Sequence, residues 1–327
     1  MTRLHLYWNE IGDDEAQTIA AVLKDILNLT TLDLGFNNIG NAGVQVIAVA
    51  LKDAPSLTTL NLGHNNIRVA GAQAIATALK DIPSLTTLDI QCNEIGANGV
   101  QAIAATLKDA RRLTGLNLTS NRIGAAGARA IAAALKGVPM LTTMDLHDNE
   151  IRNDGARAIA AALKDAPRLI TLGLNGNKIG ATGAKAIAAA LKDAPSLTTL
   201  SLSWNKIGSA GAKAIATALK DAPRLTKLDL IDNKIGTAGA KAIATALKDA
   251  RSLIMLDLSY NNIGAGAQAI DVAQTERQRQ IKDIEVAVLA EYSNPNSYFS
   301  ILPSDGCVLS EILQMARLQP LKVYYSI

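Results

Sequence analysis

The chain has 327 residues, 49% hydrophobic and 19% charged, with 32 basic against 29 acidic side chains and a net charge of +3. So much apolar content fills a core and excludes disordered and collagen-like chains, while near-neutrality gives no general electrostatic case for nucleic acid or an anionic membrane. Two cysteines, Cys92 and Cys307, exclude a disulfide scaffold and fit a reducing compartment. The first residues lack the apolar run of a signal peptide, and no apolar stretch approaches the ~20 residues of a membrane helix, so a cytoplasmic protein is expected.

From the first residues onward the chain repeats. Asparagine recurs at Asn9, Asn37, Asn65, Asn93, Asn121, Asn149, Asn177, Asn205, Asn233 and Asn261, always 28 residues apart, and isoleucine follows two places later each time. Upstream of the asparagines runs the pattern Leu-x-x-Leu-x-Leu, as at Leu29, Leu32 and Leu34. Leu32 and Leu34 alternate with polar positions, which predicts a short strand buried on one face. The asparagine is placed to bond backbone where the chain leaves the strand, and stacked copies predict a ladder. A helix follows, as in 239–249, where Ala240, Ile243, Ala244 and Leu247 form a narrow apolar stripe. Prolines such as Pro55, Pro167 and Pro223 are expected to end each helix before the next strand. A single unit cannot bury its own faces, so ten units over 1–263 predict one α/β solenoid with a parallel sheet inside and helices outside.

After Ile263 the pattern shortens. Residues 264–292 are expected to hold a truncated last repeat and a terminal helix over about 268–292. Residues 293–327 leave the repeat and carry Tyr298, Phe299, Ile301, Leu302, Leu309, Ile312, Leu313 and Met315, apolar groups suited to capping an open end. No such segment precedes Leu4 and Leu6. That edge is expected to associate with itself or with a further domain.

The 28-residue unit, with Gly-x-x-Gly-Ala-x-Ala-Ile-Ala after the asparagine, resembles the ribonuclease-inhibitor-like leucine-rich repeats over about four fifths of the chain. Similar repeats occur in innate-immune receptors, in Ran GTPase activators and in bacterial effectors. The resemblance implies a horseshoe with strands on the concave side, helices on the convex side, and a protein partner bound by the concave face. It also admits delivery into a host cytoplasm if the chain is an effector. A single repeat type and two cysteines depart from ribonuclease inhibitors, and residues 264–327, with five basic and seven acidic groups, lack the strongly acidic tail of the Ran activators.

Positions that vary between units locate candidate binding residues. Five of the ten Phe, Tyr and Trp residues fall in the repeats, and all five occupy the two places before the asparagine: Tyr7, Trp8, Phe36, Trp204 and Tyr260. The leucine, isoleucine and alanine core needs none of them. Exposed aromatics of this kind anchor interfaces, although Tyr7, Trp8 and Phe36 equally suit shielding of the first repeats. Between the second and third leucines come Asp33, Asp89, Asp145, Asp229 and Asp257, which with Asp148 and Asp232 predict an acidic concave floor. Lys227, Asp229, Asp232 and Asp257 surround the Trp204–Tyr260 pair in this register. The helix position after Gly-Ala changes from Gln17, Gln45, Gln73 and Gln101 to Arg129, Arg157, Lys185, Lys213 and Lys241. The lysine row from Lys24 to Lys248, mostly followed by aspartate, reads as a solvated helix face.

Catalytic signatures are absent: no phosphate loop, dinucleotide fingerprint or nucleophile elbow occurs. Asp145, His147 and Asp148 share one strand, but with three histidines in the chain no second histidine supports a metal site. Neither cofactor nor metal is expected. The sequence therefore predicts a non-catalytic scaffold that binds a protein partner. The alternative is a regulator, such as a GTPase activator, acting on a partner enzyme in trans through a rim residue such as Arg122.

Overall fold

A computed structural model describes residues 2–26, 28–222, 224–292 and 320–325, with 285–292 as backbone only. Eleven strands form one parallel sheet in strict chain order. The first three are β1 (Arg3–His5), β2 (Thr31–Asp33) and β3 (Thr59–Asn61). Next come β4 (Thr87–Asp89), β5 (Gly115–Asn117), β6 (Thr143–Asp145) and β7 (Thr171–Gly173). The series ends with β8 (Thr199–Ser201), β9 (Lys227–Asp229), β10 (Met255–Asp257) and β11 (Lys322–Tyr324). From β1 to β10 every pairing joins residues 28 apart, Leu4 to Leu32 and so on to Leu228 with Leu256. In β2 to β10 the central residue is buried and, apart from buried Gly173, its neighbours are partly or fully exposed, which is the alternation that the leucines impose; in the end strands β1 and β11 the central residue is half-buried.

A helix follows each of the first ten strands: α1 (Asp13–Leu23), α2 (Asn41–Ala50), α3 (Val69–Ala78), α4 (Gly96–Thr106) and α5 (Gly124–Ala134). The remainder are α6 (Arg152–Ala162), α7 (Ala181–Ala190), α8 (Gly208–Ala218), α9 (Gly236–Ala246) and α10 (Gly266–Tyr292). Helix α9 thus begins three residues earlier than the apolar stripe predicts. Leu247 is buried not from the helix but from a tight turn, the counterpart of the 3-10 turns at Leu51–Asp53 and Leu219–Asp221. For the same reason proline does not end the helix itself. Ala50 closes α2 and a 3-10 turn intervenes before Pro55.

Small residues set the distance between helices. A Cβ on Gly211 of α8 would lie 3.0 Å from the Ala184 Cβ of α7, too close for an unmoved neighbour. The predicted ladder of asparagines is present and links repeats pairwise. Asn149 Nδ2 donates to Leu118 O in the preceding repeat at 2.8 Å, and its Oδ1 accepts from Asn121 N and Ile123 N at 2.9 and 3.3 Å. Each buried asparagine therefore satisfies backbone groups that no helix or strand reaches.

At the C-terminal end, β11 pairs with β10, aligning Val323 with Leu256, and Leu321 is buried. Helix α10 starts at Gly266, two residues before the expected position, and is tied to this strand. Gln274 donates to Leu321 O at 3.0 Å, and the Tyr325 hydroxyl bonds Asp271 Oδ1. Arg277, which sequence reasoning overlooked, is buried among carbonyls and donates to Ala250 O at 2.8 Å, Arg251 O at 3.0 Å and Leu253 O at 2.7 Å. Burial pulls its guanidinium pKa below the ordinary value. Cys307, Pro223 and the apolar tail residues from Tyr298 to Met315 lie outside the described residues.

Candidate functional site

The solvent side of the sheet carries three columns of side chains, one residue per repeat. The floor column holds Asp33, Asn61, Asp89, Asn117 and Asp145 in alternation, then Gly173, Ser201, Asp229 and Asp257, aligned by strand register. Most of these carboxylates hold the backbone. Asp33, Asp89, Asp229 and Asp257 each accept, through Oδ1, the N–H two residues on, at 2.9–3.1 Å. Asn61 and Asn117 donate sideways to Asp33 and Asp89 at 2.8 and 3.0 Å, which separates successive charges. Burial nevertheless raises the Asp89 pKa above the usual carboxylate value, against hydrogen bonds from Gln91 and Asn117 that lower it. The aspartates share one floor, but at least one oxygen of each such carboxylate is already engaged, and both oxygens of Asp89 are.

Asp145 departs from this scheme. Its Oδ1 approaches His147 Nε2 to 3.0 Å as an ion-pair contact without the alignment of a hydrogen bond. Both side chains lean over the next strand, where a Cβ on Gly173 would overlap them, and Asp148 likewise occupies the space a Cβ on Gly176 would take. Among the described residues, no group of three or more His, Cys, Asp or Glu side chains is disposed to hold a metal ion.

The column immediately before the asparagines has a backbone feature invisible in the sequence pattern. All ten residues, from Trp8 to Tyr260, adopt positive φ between 46° and 66°, the left-handed region that favours glycine, and only Gly176 is glycine. Trp204 at φ 53° and Tyr260 at φ 59° are 59% and 71% exposed, with the exposed Asp232 between them at φ 46°. Backbone bonds fix this spacing, because Trp204 N donates to Ile231 O and Asp232 N to Ser259 O at 2.8 and 3.0 Å. Lys227 is exposed on β9 beside Asp229.

The N-terminal aromatics form a separate group. Phe36 stacks on Trp8 with ring centroids 5.6 Å apart and on His64 at 3.8 Å, while Tyr7 lies 4.9 Å from Phe36. Trp8 still exposes 71% of its surface. On the rim, one place past the asparagines, charges from adjacent repeats pair: Arg122 meets Glu94 at 2.8 Å and Lys178 meets Glu150 at 2.6 Å. Lys178 holds the Glu150 carboxyl below its usual pKa, and Arg122, the rim arginine considered for action in trans, is already partnered. Cys92 is a free thiol whose pKa is pushed up by burial, which lowers its nucleophilic fraction.

An uninterrupted parallel sheet, one strand and one helix per 28 residues, defines a repeat solenoid of the α/β type. A family model described as leucine-rich repeat matches eight stretches, 27–48, 53–76, 82–104, 111–132, 139–160, 169–188, 193–216 and 223–244. The chain belongs to the leucine-rich repeat family. Among solved structures it is similar to the leucine-rich repeat ectodomain of the Arabidopsis receptor kinase HAESA, determined in complex with a peptide hormone. That likeness has 18% identity and a TM-score of 0.51, covering 78% of this chain and 38% of that one. A TDR receptor gives 17% identity and a TM-score of 0.49, covering 77% of this chain and 42% of that chain. An internalin from Listeria monocytogenes gives 17% and 0.44, covering 83% and 84%. The chain thus spans well under two thirds of the two receptors. No curated protein sequence matches it.

Proposed function

We propose that the chain is a scaffold that binds a protein partner on the concave, sheet side, with Trp204 and Tyr260 as the anchors. The observation that carries this reading is the exposure of two large rings that the leucine, isoleucine and alanine core does not use. Each is a large, exposed ring on left-handed backbone. Neither ring belongs to the hydrophobic core. They stand two repeats apart, about 10 Å at the usual strand spacing. Asp232 lies between them, and Lys227, Asp229 and Asp257 place charges of both signs beside them. Aromatic anchors around a charged centre match the composition of interface hot spots. Peptide binding by the HAESA ectodomain is in keeping with this use of the fold. The 28-residue unit further supports placing the repeats in the ribonuclease-inhibitor-like subfamily.

The test is a pair of substitutions in the full chain. Trp204→Ala and Tyr260→Ala are expected to leave thermal stability unchanged and each to weaken a captured partner by about 2 kcal/mol or more in titration calorimetry. Lys52→Ala, exposed on the helical side of the second repeat, is the control and should leave that affinity alone. Normal binding by both aromatic variants would remove the sheet face from consideration.

A further inference from the structure

We infer that the helical side of repeats five to nine is a second interaction surface, fitted to an acidic amphipathic α-helix of a partner protein. The inference is independent of the sheet-side reading. Helices α5 to α9 and the turns after them present three exposed columns in register. The first is Arg129, Arg157, Lys185, Lys213 and Lys241; the third is Lys136, Lys164, Lys192, Lys220 and Lys248. Between them run only small residues, Ala133, Ala161, Ala189, Thr217 and Thr245.

Seven residues separate the two cations of each repeat, two helical turns or about 10 Å, and neighbouring helices pack 8–10 Å apart. The result is a trough with a cation row on each bank. Its floor dips between helices: a groove of about 550 Å³ between α8 and α9 is lined by Ala216, Thr217, Ala242, Thr245 and Ala246, with Lys213, Lys220, Lys248 and one carboxylate, Asp249, at its margins. A similar, smaller groove of about 270 Å³ lies between α6 and α7.

The charges on the banks are mostly uncommitted. Of the ten cations, only Arg157, with Asp154, and Lys192, with Asp193, form ion pairs among the described residues. An α-helix with its side chains is about 10–12 Å wide, which matches the trough. Carboxylates on its two flanks would meet the banks, and an apolar stripe would meet the methyl groups of the floor. Five repeats span roughly 40 Å, the length of a helix of about 25 residues.

Two features favour this occupant over a nucleic acid. Aspartates Asp165, Asp193, Asp221 and Asp249 follow the lower row and repel a phosphate backbone of continuous charge, whereas spaced carboxylates can avoid them. No aromatic residue borders the trough to stack a base. The first four repeats supply an internal comparison, since Gln17, Gln45, Gln73 and Gln101 replace the upper cation row there. The trough is therefore charged on both banks only in the later repeats.

The experiment measures fluorescence anisotropy of a labelled synthetic helix of about 25 residues, with glutamates flanking a leucine–alanine stripe, against the full chain. A scrambled peptide of equal composition, a DNA duplex of about 20 base pairs and phosphatidylserine vesicles serve as competing probes. The amphipathic helix is expected to bind most tightly. The double variant Lys213→Gln/Lys241→Gln, which installs the residue found in the first four repeats, should weaken it about tenfold. Gln73→Lys/Gln101→Lys should strengthen it by extending the row, and Trp204→Ala should have no effect. Equal or tighter binding of the scrambled peptide, the duplex or the vesicles overturns the inference, as does an affinity unmoved by the Gln and Lys variants.

Discussion

Asn149 shows how much one side chain carries in this architecture. Through one amide it accepts the N–H groups of Asn121 and Ile123 and donates to Leu118 O and His147 O. Removing it strands several buried backbone groups at once, each worth about 1–3 kcal/mol when left unmade. Asn149→Ala is therefore expected to destabilise the chain by roughly 3 kcal/mol or more in urea denaturation. Asn9 begins the series and is exposed, and among the described residues its side chain donates to Tyr7 O alone. Asn9→Ala should cost under about 1 kcal/mol in the same measurement. The ladder was legible in the sequence, because a polar residue every 28 positions next to buried leucines has few other uses. The left-handed backbone of the adjacent column was not legible, since Trp, Phe, His, Cys and Tyr are residues that local propensity steers away from it.

At the scale of elements, α10 and β11 behave as a clasp on the last repeat. Tyr325 is the pH-sensitive member: its bond to Asp271, helped by burial, pushes the phenol pKa up to about 12. An acid whose folded pKa lies above its ordinary value of about 10 contributes fully below that pH and loses its contribution as pH climbs through the folded pKa. Hydrogen exchange at the Met255–Asp257 amides should accordingly accelerate between about pH 10 and 12 beyond the intrinsic base-catalysed rate. Tyr325→Phe should abolish that extra step. An identical pH profile in the variant would assign the clasp to Gln274 and Arg277 alone. Arg277 was missed at the sequence level because a lone arginine in a Gln- and Arg-rich helix reads as solvated; only the end of the array, with carbonyls that a further repeat would have covered, draws it inward.

For the whole molecule, stability is a sum of neighbouring contacts, so its weak points are the ends. We propose that the segment after α10 serves as the C-terminal cap. Truncation after Tyr292 removes β11 and with it the partner of Ile254 O and Leu258 N. The truncated chain is expected to melt at lower temperature or to aggregate through the opened edge, seen by calorimetry and light scattering. An unchanged melting point in a monomeric protein would make the segment an appendage. We also propose that the opposite edge, β1, associates with a partner strand, because among the described residues β1 pairs with β2 alone. A concentration series in light scattering that stays monomeric throughout would count against self-association there.

The strict 28-residue period specified the solenoid: every unit is forced into the same strand, turn and helix, and stacking is the only way such units bury their leucines. It also determined which side chains share a column, because register follows directly from the period. Tertiary structure decided what those columns can do. Stacking set Asn61 and Asn117 against Asp33 and Asp89, left Asp145 and His147 leaning over Gly173, joined the N-terminal aromatics into one stack and set Trp204 apart beside Gly176 and Asp232. It likewise converted lysines that read as a solvated face into one bank of a two-sided trough. Period is a property of spacing along the chain, whereas hydrogen-bond sharing, side-chain crowding and the alignment of charges between helices arise only when neighbouring repeats are packed against each other.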